Sequence, residues 1–234
     1  PYIGADEFIK GKKRWCLWLK HSSPKDIMNS KILSEKVEAV RQFRLSSKAK
    51  TTNGYAKVPQ LFAQITQPDD VDFLIIPRVS SERRRYVPIG FVTADIISSD
   101  AVQIVPDATL YHFGVLTSNV HMSWMRAVCG RLKSDYRYSK EIVYNTFPWP
   151  DTTDDQKAKI EQTAQTILDA RAQYPDCSLA DMYGEKMYLF PELLKAHQNN
   201  DRAVMQAYSF SVKDMTESQC VAELMKMYQD LVSR

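Results

Sequence analysis

The stretch from Tyr144 to Pro150, which reads YNTFPWP, constrains the fold more than any other part of this 234-residue chain. Pro148 and Pro150 have no backbone N–H, and each disfavours a helical conformation in the residue before it, so no helix continues through this point. Thr153 and Gln156 then stand at the spacing of a helix capping box, with acidic residues between them. The sequence therefore predicts a domain boundary here, with residues 1–150 in one domain and 151–234 in the next.

The second domain is predicted to be all-helical. Ile160, Ala164 and Ile167 keep the spacing of one helix face after the capping box. Tyr174-Pro175 ends that run, and further helices are predicted over residues 191–208 and 217–231.

The first 150 residues mix both kinds of element. The side chains of Trp15 to Lys20 would alternate between two largely apolar faces of an extended chain, which predicts a short buried strand. Ser23-Pro24 predicts the start of a helix. The segment from Ser46 to Gly54 is predicted to be a loop. Three further strands are predicted over Asp72–Val79, Tyr86–Val92 and Ile96–Val105 and are expected to pair in one sheet, and a helical pattern covers Thr109–Cys129. The fold class is therefore α+β: a mixed α/β first domain with a small sheet and packed helices, then an all-α C-terminal domain.

The charge is unevenly distributed between the two predicted domains. Residues 1–150 carry 22 Lys and Arg against 14 Asp and Glu, whereas residues 151–234 carry 9 against 14. This split indicates one part that faces a polyanion and one that does not. No run approaches the about 18 apolar residues of a membrane helix, and four scattered cysteines favour a reducing, cytoplasmic setting. Pro1 without an initiator Met is expected either for a piece of a longer protein or for a processed N-terminus.

Catalytic and metal-binding patterns are absent from the sequence. The seven glycines build no nucleotide-binding loop, and Asn145 is not followed by the Pro-Pro-aromatic residues that amino methyltransferases use to hold a flipped base. The four histidines have no partner at metal-ligand spacing. We therefore expect no catalytic residue, no metal site and no cofactor in this chain.

Two segments have the residue types that contact DNA. The first runs from Pro77 to Tyr86, where guanidinium groups and hydroxyls suit phosphate oxygens and Tyr86 adds a further donor. A solvated hairpin turn is an equally open interpretation. The candidate backbone contacts here are Arg78, Ser80, Ser81, Arg83 and Arg84.

The second segment runs from Gly130 to Ser139. If it is extended, one face carries Arg131, Lys133, Asp135 and Arg137, and the other carries Leu132, Tyr136 and Tyr138. Lys133 can donate to guanine while Asp135 accepts from cytosine, so the two together suit one G·C pair. A solvated edge strand is the alternative interpretation. Lys12 and Lys13 form a weaker third candidate, for phosphate contact or for solubility alone.

Several stretches together resemble the C-terminal region of the MmeI-like family, type II restriction-modification proteins that methylate adenine N6. The stretches that carry the resemblance are Pro1 to Gly4, Gly11 to Leu19, Pro77 to Phe91, Leu116 to Arg126, Gly130 to Leu132, Tyr136 to Ser139, Tyr144 to Pro150, Pro191 to His197 and Asp201 to Val204. The resemblance implies a target-recognition domain over residues 1–150 and a helical C-terminal domain beyond. It also implies that the base-discriminating positions fall on Ala101, Lys133, Asp135 and Arg137.

In that family an S-adenosylmethionine-binding methyltransferase domain precedes this region, with a nuclease in some members. The resemblance therefore implies that this chain recognises double-stranded DNA for a methyltransferase domain of the same polypeptide and is inactive alone. Arg78, Arg83, Arg84 and Arg131 would set the register on the phosphates. The alternative is a structural or protein-interaction module whose basic surface is incidental.

Overall fold

A computed structural model describes residues 1–233 and divides the chain into two compact units. Among the described residues, the main unit comprises Pro1–Arg14 and residues 68–233, and the inserted unit comprises Trp15–Gln67.

The regular elements follow one another along the chain as ten α-helices and eight short strands within the described residues. In chain order they are β1 (Tyr2–Ile3), α1 (Ala5–Lys10), α2 (Pro24–Asn29), α3 (Lys31–Leu45), α4 (Lys50–Gly54), β2 (Phe73–Pro77), β3 (Val79–Ser80), β4 (Gly90–Val92), β5 (Ile97–Ser98), β6 (Val102–Pro106), α5 (Leu110–Leu116), α6 (Asn119–Val128), β7 (Gly130–Leu132), β8 (Asp135–Arg137), α7 (Asp154–Ala172), α8 (Leu179–Met182), α9 (Pro191–Ala207) and α10 (Glu217–Val232). A π-helical segment covers Lys140–Tyr144, and 3-10 turns cover Tyr55–Lys57 and Met187–Leu189.

Parts of the three predicted strands form one antiparallel sheet, in the order β4-β2-β6. The prediction that each strand is continuous is wrong for the first and third, because Val79 lies in β3 and Ile97–Ser98 forms β5, and both belong to other sheets. Ile75 of the central strand lies opposite Gly90 on one side and Ile104 on the other. All five residues of β2 are buried, which explains why they form a continuous apolar run. The second predicted strand is shorter than expected, because only Gly90–Val92 pairs and the residues before it, Pro88 among them, enter the core without strand pairing.

Two smaller sheets complete the main unit. One joins β1 and β5 in parallel, and the other has the order β3-β8-β7 and is antiparallel. This second small sheet, which we call the basic sheet, contains the two segments singled out above for DNA contact.

The predicted helical tail is confirmed. The Thr153 hydroxyl accepts a hydrogen bond from the backbone N–H of Gln156, and the Gln156 side chain accepts one from the N–H of Thr153, so α7 starts with the predicted capping box. α9 and α10 match the two later helices closely. The α+β class is likewise confirmed.

One hydrophobic core runs through the main unit and does not stop at residue 150. Phe113 and Trp124 from the first part belong to the same buried cluster as Ile160, Leu193 and Leu224 from the helical tail. The helical pattern of Thr109–Cys129 is two helices, because Ser118 interrupts the run and its hydroxyl caps α6.

The inserted unit corrects two predictions. Trp15–Lys20 forms no strand, and the Trp15 side chain is 66% exposed. The unit is helical, so the segment finds no strand to pair with. The segment Ser46–Gly54 is not wholly a loop either, because its second half forms α4 and the Asn53 side chain donates to Leu45 O at 2.8 Å. The helix predicted from Ser23-Pro24 is confirmed as α2, with Ser23 as its N-cap.

Across residues 1–233, no helix combines the length and apolar character that a membrane crossing requires.

Candidate nucleic-acid interface

The basic sheet brings together two segments that lie about fifty residues apart in sequence. Val79 lies opposite Arg137 and Ser80 opposite Tyr136 in the pairing of β3 with β8. β8 in turn pairs with β7, where Gly130 lies opposite Arg137. The arginine-rich segment and the second candidate segment are therefore neighbours in one sheet.

Arg78 joins a third segment to this sheet. Its backbone N–H donates to Ala101 O at 3.0 Å, and its carbonyl accepts from the N–H of Tyr138 at 2.8 Å. Its guanidinium Nη1 donates to Asp100 O at 2.9 Å. Ala101 is exposed, so this candidate base-reading position lies beside the basic sheet although it is distant in sequence.

The prediction that Arg131, Lys133, Asp135 and Arg137 share the face of one extended strand is wrong. The chain reverses at Lys133 and Ser134, and Leu132 lies opposite Asp135. Lys133 has a φ of 56°, the left-handed value that the first residue of such a two-residue hairpin loop adopts. Sequence reasoning missed the turn because neither residue is the Gly or Asn that normally marks one.

The hairpin changes which side chains are neighbours. Residues opposite each other in an antiparallel pair share a face, so Arg131 lies with Tyr136, whereas Asp135 lies with Leu132. The Arg131 guanidinium stacks on the Tyr136 ring, 4.0 Å from its centroid, and donates to Ser134 O at 2.8 Å. Tyr136 and Tyr138 are buried as predicted, but Leu132 is 52% exposed and gives no such support.

Lys133 and Arg137 are exposed, and Asp135 is half-buried. Asp135 Oδ1 accepts a long hydrogen bond of 3.4 Å from the backbone N–H of Glu82. The Asp135 carboxylate thus helps to hold the turn that carries Arg83 and Arg84. Lys133 lies in the turn of the hairpin, and Asp135 is the first residue of the strand that follows it.

The turn after β3 presents its two candidate arginines differently. Arg83 is exposed, and its guanidinium lies 3.6 Å from the Glu185 carboxylate. Arg84 is half-buried, its Nε has no hydrogen-bond partner among the described residues, and burial lowers the pKa of its guanidinium while Asp135 opposes that shift. The unpaired Nε of Arg84 is itself buried, so only the rest of its guanidinium is open to a phosphate contact. Ser81 is half-buried and caps the turn, its hydroxyl accepting from the N–H of Arg83.

Two residues of this segment do not lie on the exposed surface. Ser80 is 3% exposed and its hydroxyl is buried, because the residue is held in β3 between the core and β8. Tyr86 is 1% exposed and donates its hydroxyl hydrogen to Asp201 instead of to a ligand. The placement of Ser80 and Tyr86 among the exposed DNA contacts is therefore wrong.

Lys12 and Lys13 are both exposed at the end of α1. Lys12 forms a 2.9 Å ion pair with Asp6, whose hydrogen bond raises the pKa of the lysine. Part of its charge is therefore already neutralised within the chain. The backbone carbonyl of Arg14, the residue after Lys13, accepts a hydrogen bond from the backbone N–H of Tyr2 in β1.

Sequence reasoning missed Arg126, which contacts the arginine-rich turn through the backbone carbonyl of Arg85, and Glu217, which pairs with Arg126. Arg126 of α6 donates to Glu217 of α10 at 2.6 and 3.1 Å and to Arg85 O at 3.4 Å. A cavity of about 440 Å³ lies beside these groups and is also lined by Arg83 and Arg84. An isolated Arg in a helix and an isolated Glu 91 residues later give no signal in a single sequence.

Two protein-family models together match the whole chain. The family model described as MmeI, target recognition domain, matches residues 1–151, and the model described as MmeI, C-terminal domain, matches residues 152–234. The chain is 36% identical over 233 residues to DNA methyltransferase A of Bacillus subtilis (strain 168), covering 100% of this chain and 26% of that protein.

A solved structure of the type IIL restriction-modification enzyme MmeI in complex with DNA matches with a TM-score of 0.95 and 44% identity. The match covers 100% of this chain and 31% of that one. The chain therefore spans about a quarter to a third of the length of these relatives.

Proposed function

Because the chain belongs to the MmeI family, with its target recognition domain over residues 1–151 and its C-terminal domain over 152–234, we propose that it reads the DNA sequence for a site-specific adenine-N6 methyltransferase. The neighbouring structure is of a relative in complex with DNA, which supports double-stranded DNA as the partner.

One observation carries this proposal. Backbone hydrogen bonds bring the segments around Arg78, Ala101 and Arg137 to a single small sheet whose hairpin tip is exposed. An exposed two-stranded ribbon is narrow enough to enter the major groove of B-form DNA, where each base pair presents a distinct set of donors and acceptors.

The residues divide by chemistry into two groups. Guanidinium and ammonium groups suit phosphate oxygens and set the register without reading sequence. These are Arg78, Arg83, Arg84, Arg131, Lys12 and Lys13, with Ser81 as a hydroxyl donor. Lys133, Asp135 and Arg137, together with Ala101, contact base edges.

The chemistry belongs to a preceding domain. This chain has neither the glycine-rich loop nor the Asn/Asp-Pro-Pro-aromatic motif of a methyltransferase site. S-adenosylmethionine would therefore be bound by that domain, which would also receive the flipped adenine. The chain alone binds DNA but does not methylate it.

Binding to a short DNA duplex as a function of salt tests the proposal. A surface that neutralises phosphates loses affinity steeply, with a slope of about −0.9 in log K against log salt for each phosphate. A weak and salt-independent interaction would contradict the proposal and favour a structural or protein-interaction module.

A further inference from the structure

The inserted unit has a larger net positive charge than the whole chain, although it contains none of the DNA contacts proposed above. Residues 15–67 hold nine Lys and Arg against three Asp and Glu, a net charge of +6, whereas the whole chain has a net charge of +3. From residue 39 to residue 68 there are five Lys and Arg and no carboxylate side chain. The excess is therefore concentrated in the second half of the unit.

The three carboxylates of the unit are already engaged in its first half. Asp26 accepts hydrogen bonds from Ser23 in the cap of α2. On α3, Glu35 pairs with Lys31 at 3.9 Å and Glu38 pairs with Arg41 at 3.6 Å. None of them is paired with a cation that follows Arg41.

Arg44 uses its guanidinium to hold the following chain in place. Nη1 donates to Tyr55 O and Val58 O, each at 3.0 Å, and Nη2 donates to Leu61 O at 2.8 Å. Asn53 adds a hydrogen bond to Leu45 O. The chain from Ser46 to Val58 is thereby folded against the C-terminal end of α3.

Three lysines stand on this folded segment. Lys48, Lys50 and Lys57 are exposed, and within residues 1–233 none of them has an ion-pair partner. In sequence, Lys57 lies between Tyr55 and Val58, whose backbone carbonyls both accept hydrogen bonds from Arg44. We call these three residues the lysine cluster.

We propose that the lysine cluster binds phosphate groups of duplex DNA without sequence preference, as a second contact surface of the chain. This inference rests on the proposed function, which supplies the DNA. Like charges on one short segment repel each other, and no carboxylate of the unit offsets that repulsion. A row of phosphates offsets it and releases condensed counterions. Lysine suits this use because its ammonium is a compact charge on a flexible stem and reads no base geometry.

The test is a triple substitution, Lys48→Gln, Lys50→Gln and Lys57→Gln, in the intact protein. Affinity for a short duplex of arbitrary sequence is measured across a salt series. The expected slope of log K against log salt becomes shallower by about 0.9 for each phosphate contact that is lost. Preference among recognition sites is expected to stay unchanged.

Two further variants isolate the cause. Lys186→Gln, Lys195→Gln and Lys213→Gln removes the same charge from exposed positions of the helical tail and is expected to leave the slope as it is. Lys48→Arg, Lys50→Arg and Lys57→Arg keeps the charge and is expected to keep the wild-type slope.

The outcomes are distinct. A wild-type slope in the triple Gln variant overturns this inference, and the proposed function stands as long as the wild-type protein itself binds DNA in a salt-dependent way. An equal loss in the tail variant also overturns it, because the effect is then one of net charge. A wild-type protein without salt-dependent DNA binding overturns the proposed function itself.

Discussion

The hydroxyl of Tyr86 donates a 2.6 Å hydrogen bond to Oδ2 of Asp201, 115 residues further along the chain. The other carboxylate oxygen, Oδ1, accepts from the backbone N–H of Asn119 at 2.7 Å, at the start of α6. The Tyr86 ring also stacks on His197, with centroids 4.2 Å apart. One buried carboxylate of the helical tail thus fixes the end of the arginine-rich turn and the N-terminus of a core helix.

Tyr86→Phe is expected to destabilise the chain by about 1.5–3 kcal/mol, because it leaves a buried carboxylate with one partner fewer. Denaturant unfolding at mildly alkaline pH, where Asp201 is ionised, measures the loss. Tyr188→Phe removes a hydroxyl from an exposed ring and is the matched control, with no measurable change expected. Equal stability of the two variants would show that the Tyr86 hydrogen bond contributes nothing net.

Asp201 gives a pH dependence of definite sign. Burial raises the pKa of this carboxyl group from 3.8 to about 6, although Tyr86, Asn119, Arg85 and Arg126 act against that shift. A carboxyl group whose pKa is higher in the folded chain binds its proton more tightly there, so its contribution is fully present below the unfolded pKa. That contribution is lost as the pH rises through the folded pKa.

The stability of the wild type relative to Asp201→Asn is therefore expected to fall by about 3 kcal/mol between acid and neutral pH, since one pKa unit corresponds to about 1.4 kcal/mol. Unfolding free energies of both proteins across this range provide the measurement. Burial lowers the pKa of His121 and His197, but both proteins contain these histidines, so their effect cancels in the difference. A difference that does not change with pH would contradict the assignment.

Gly114 is placed where the first part of the chain meets the helical tail. A Cβ at this position would lie 2.6 Å from Ile160 Cγ2 and 3.1 Å from Ala164 Cβ, both on α7. Gly114→Ala is therefore expected to cost about 1–3 kcal/mol through overpacking, as measured by thermal or denaturant unfolding. Gly54→Ala, with no atom within 4 Å of its added Cβ, is the control. A neutral Gly114→Ala would show that α5 and α7 are less closely packed than described.

The parts of the fold that local chemistry determines could be predicted from the sequence. The Thr153 capping box, the Ser23-Pro24 helix start and the buried run of β2 each depend on residues within a few positions. The conformation of Trp15–Lys20 could not be predicted, because a segment with alternating side chains forms a strand only where a partner strand is available to pair with it. The boundary at residue 150 stays a prediction, since the core residues Phe113 and Ile160 lie on either side of it in one cluster.

The sequence did not predict the geometry of the candidate site, and Ser80 and Tyr86, which it placed among the contacts, are buried. The segments around Arg78 and Arg137 were identified by residue type, and the structure makes them neighbours. The reversal at Lys133 could not be predicted, because a lysine with positive φ has no turn signature. The pair of Tyr86 and Asp201 depends on a long-range contact that one sequence does not reveal.

Arg131 is expected to act through its charge alone. Arg131→Gln should reduce the salt slope of duplex binding by about 0.9 and weaken binding by a similar factor for all sequences. Arg131→Lys keeps the charge and should restore most of the slope, although it loses the planar group that stacks on Tyr136. A change in site preference with an unchanged slope would assign Arg131 to base reading instead.

The hairpin tip provides the most direct test of the account, whose central claim is that Lys133 and Asp135 read one base pair. Lys133→Glu with Asp135→Arg in the intact protein replaces the proposed donor with an acceptor and the proposed acceptor with a donor. Asp135→Asn is a milder companion variant, because it keeps an acceptor for the N–H of Glu82. Methylome sequencing of cells that express each protein reports the modified sites. We predict methylation that persists with a changed preference at a single base pair, and an unchanged recognition site in the exchanged protein would contradict the claim.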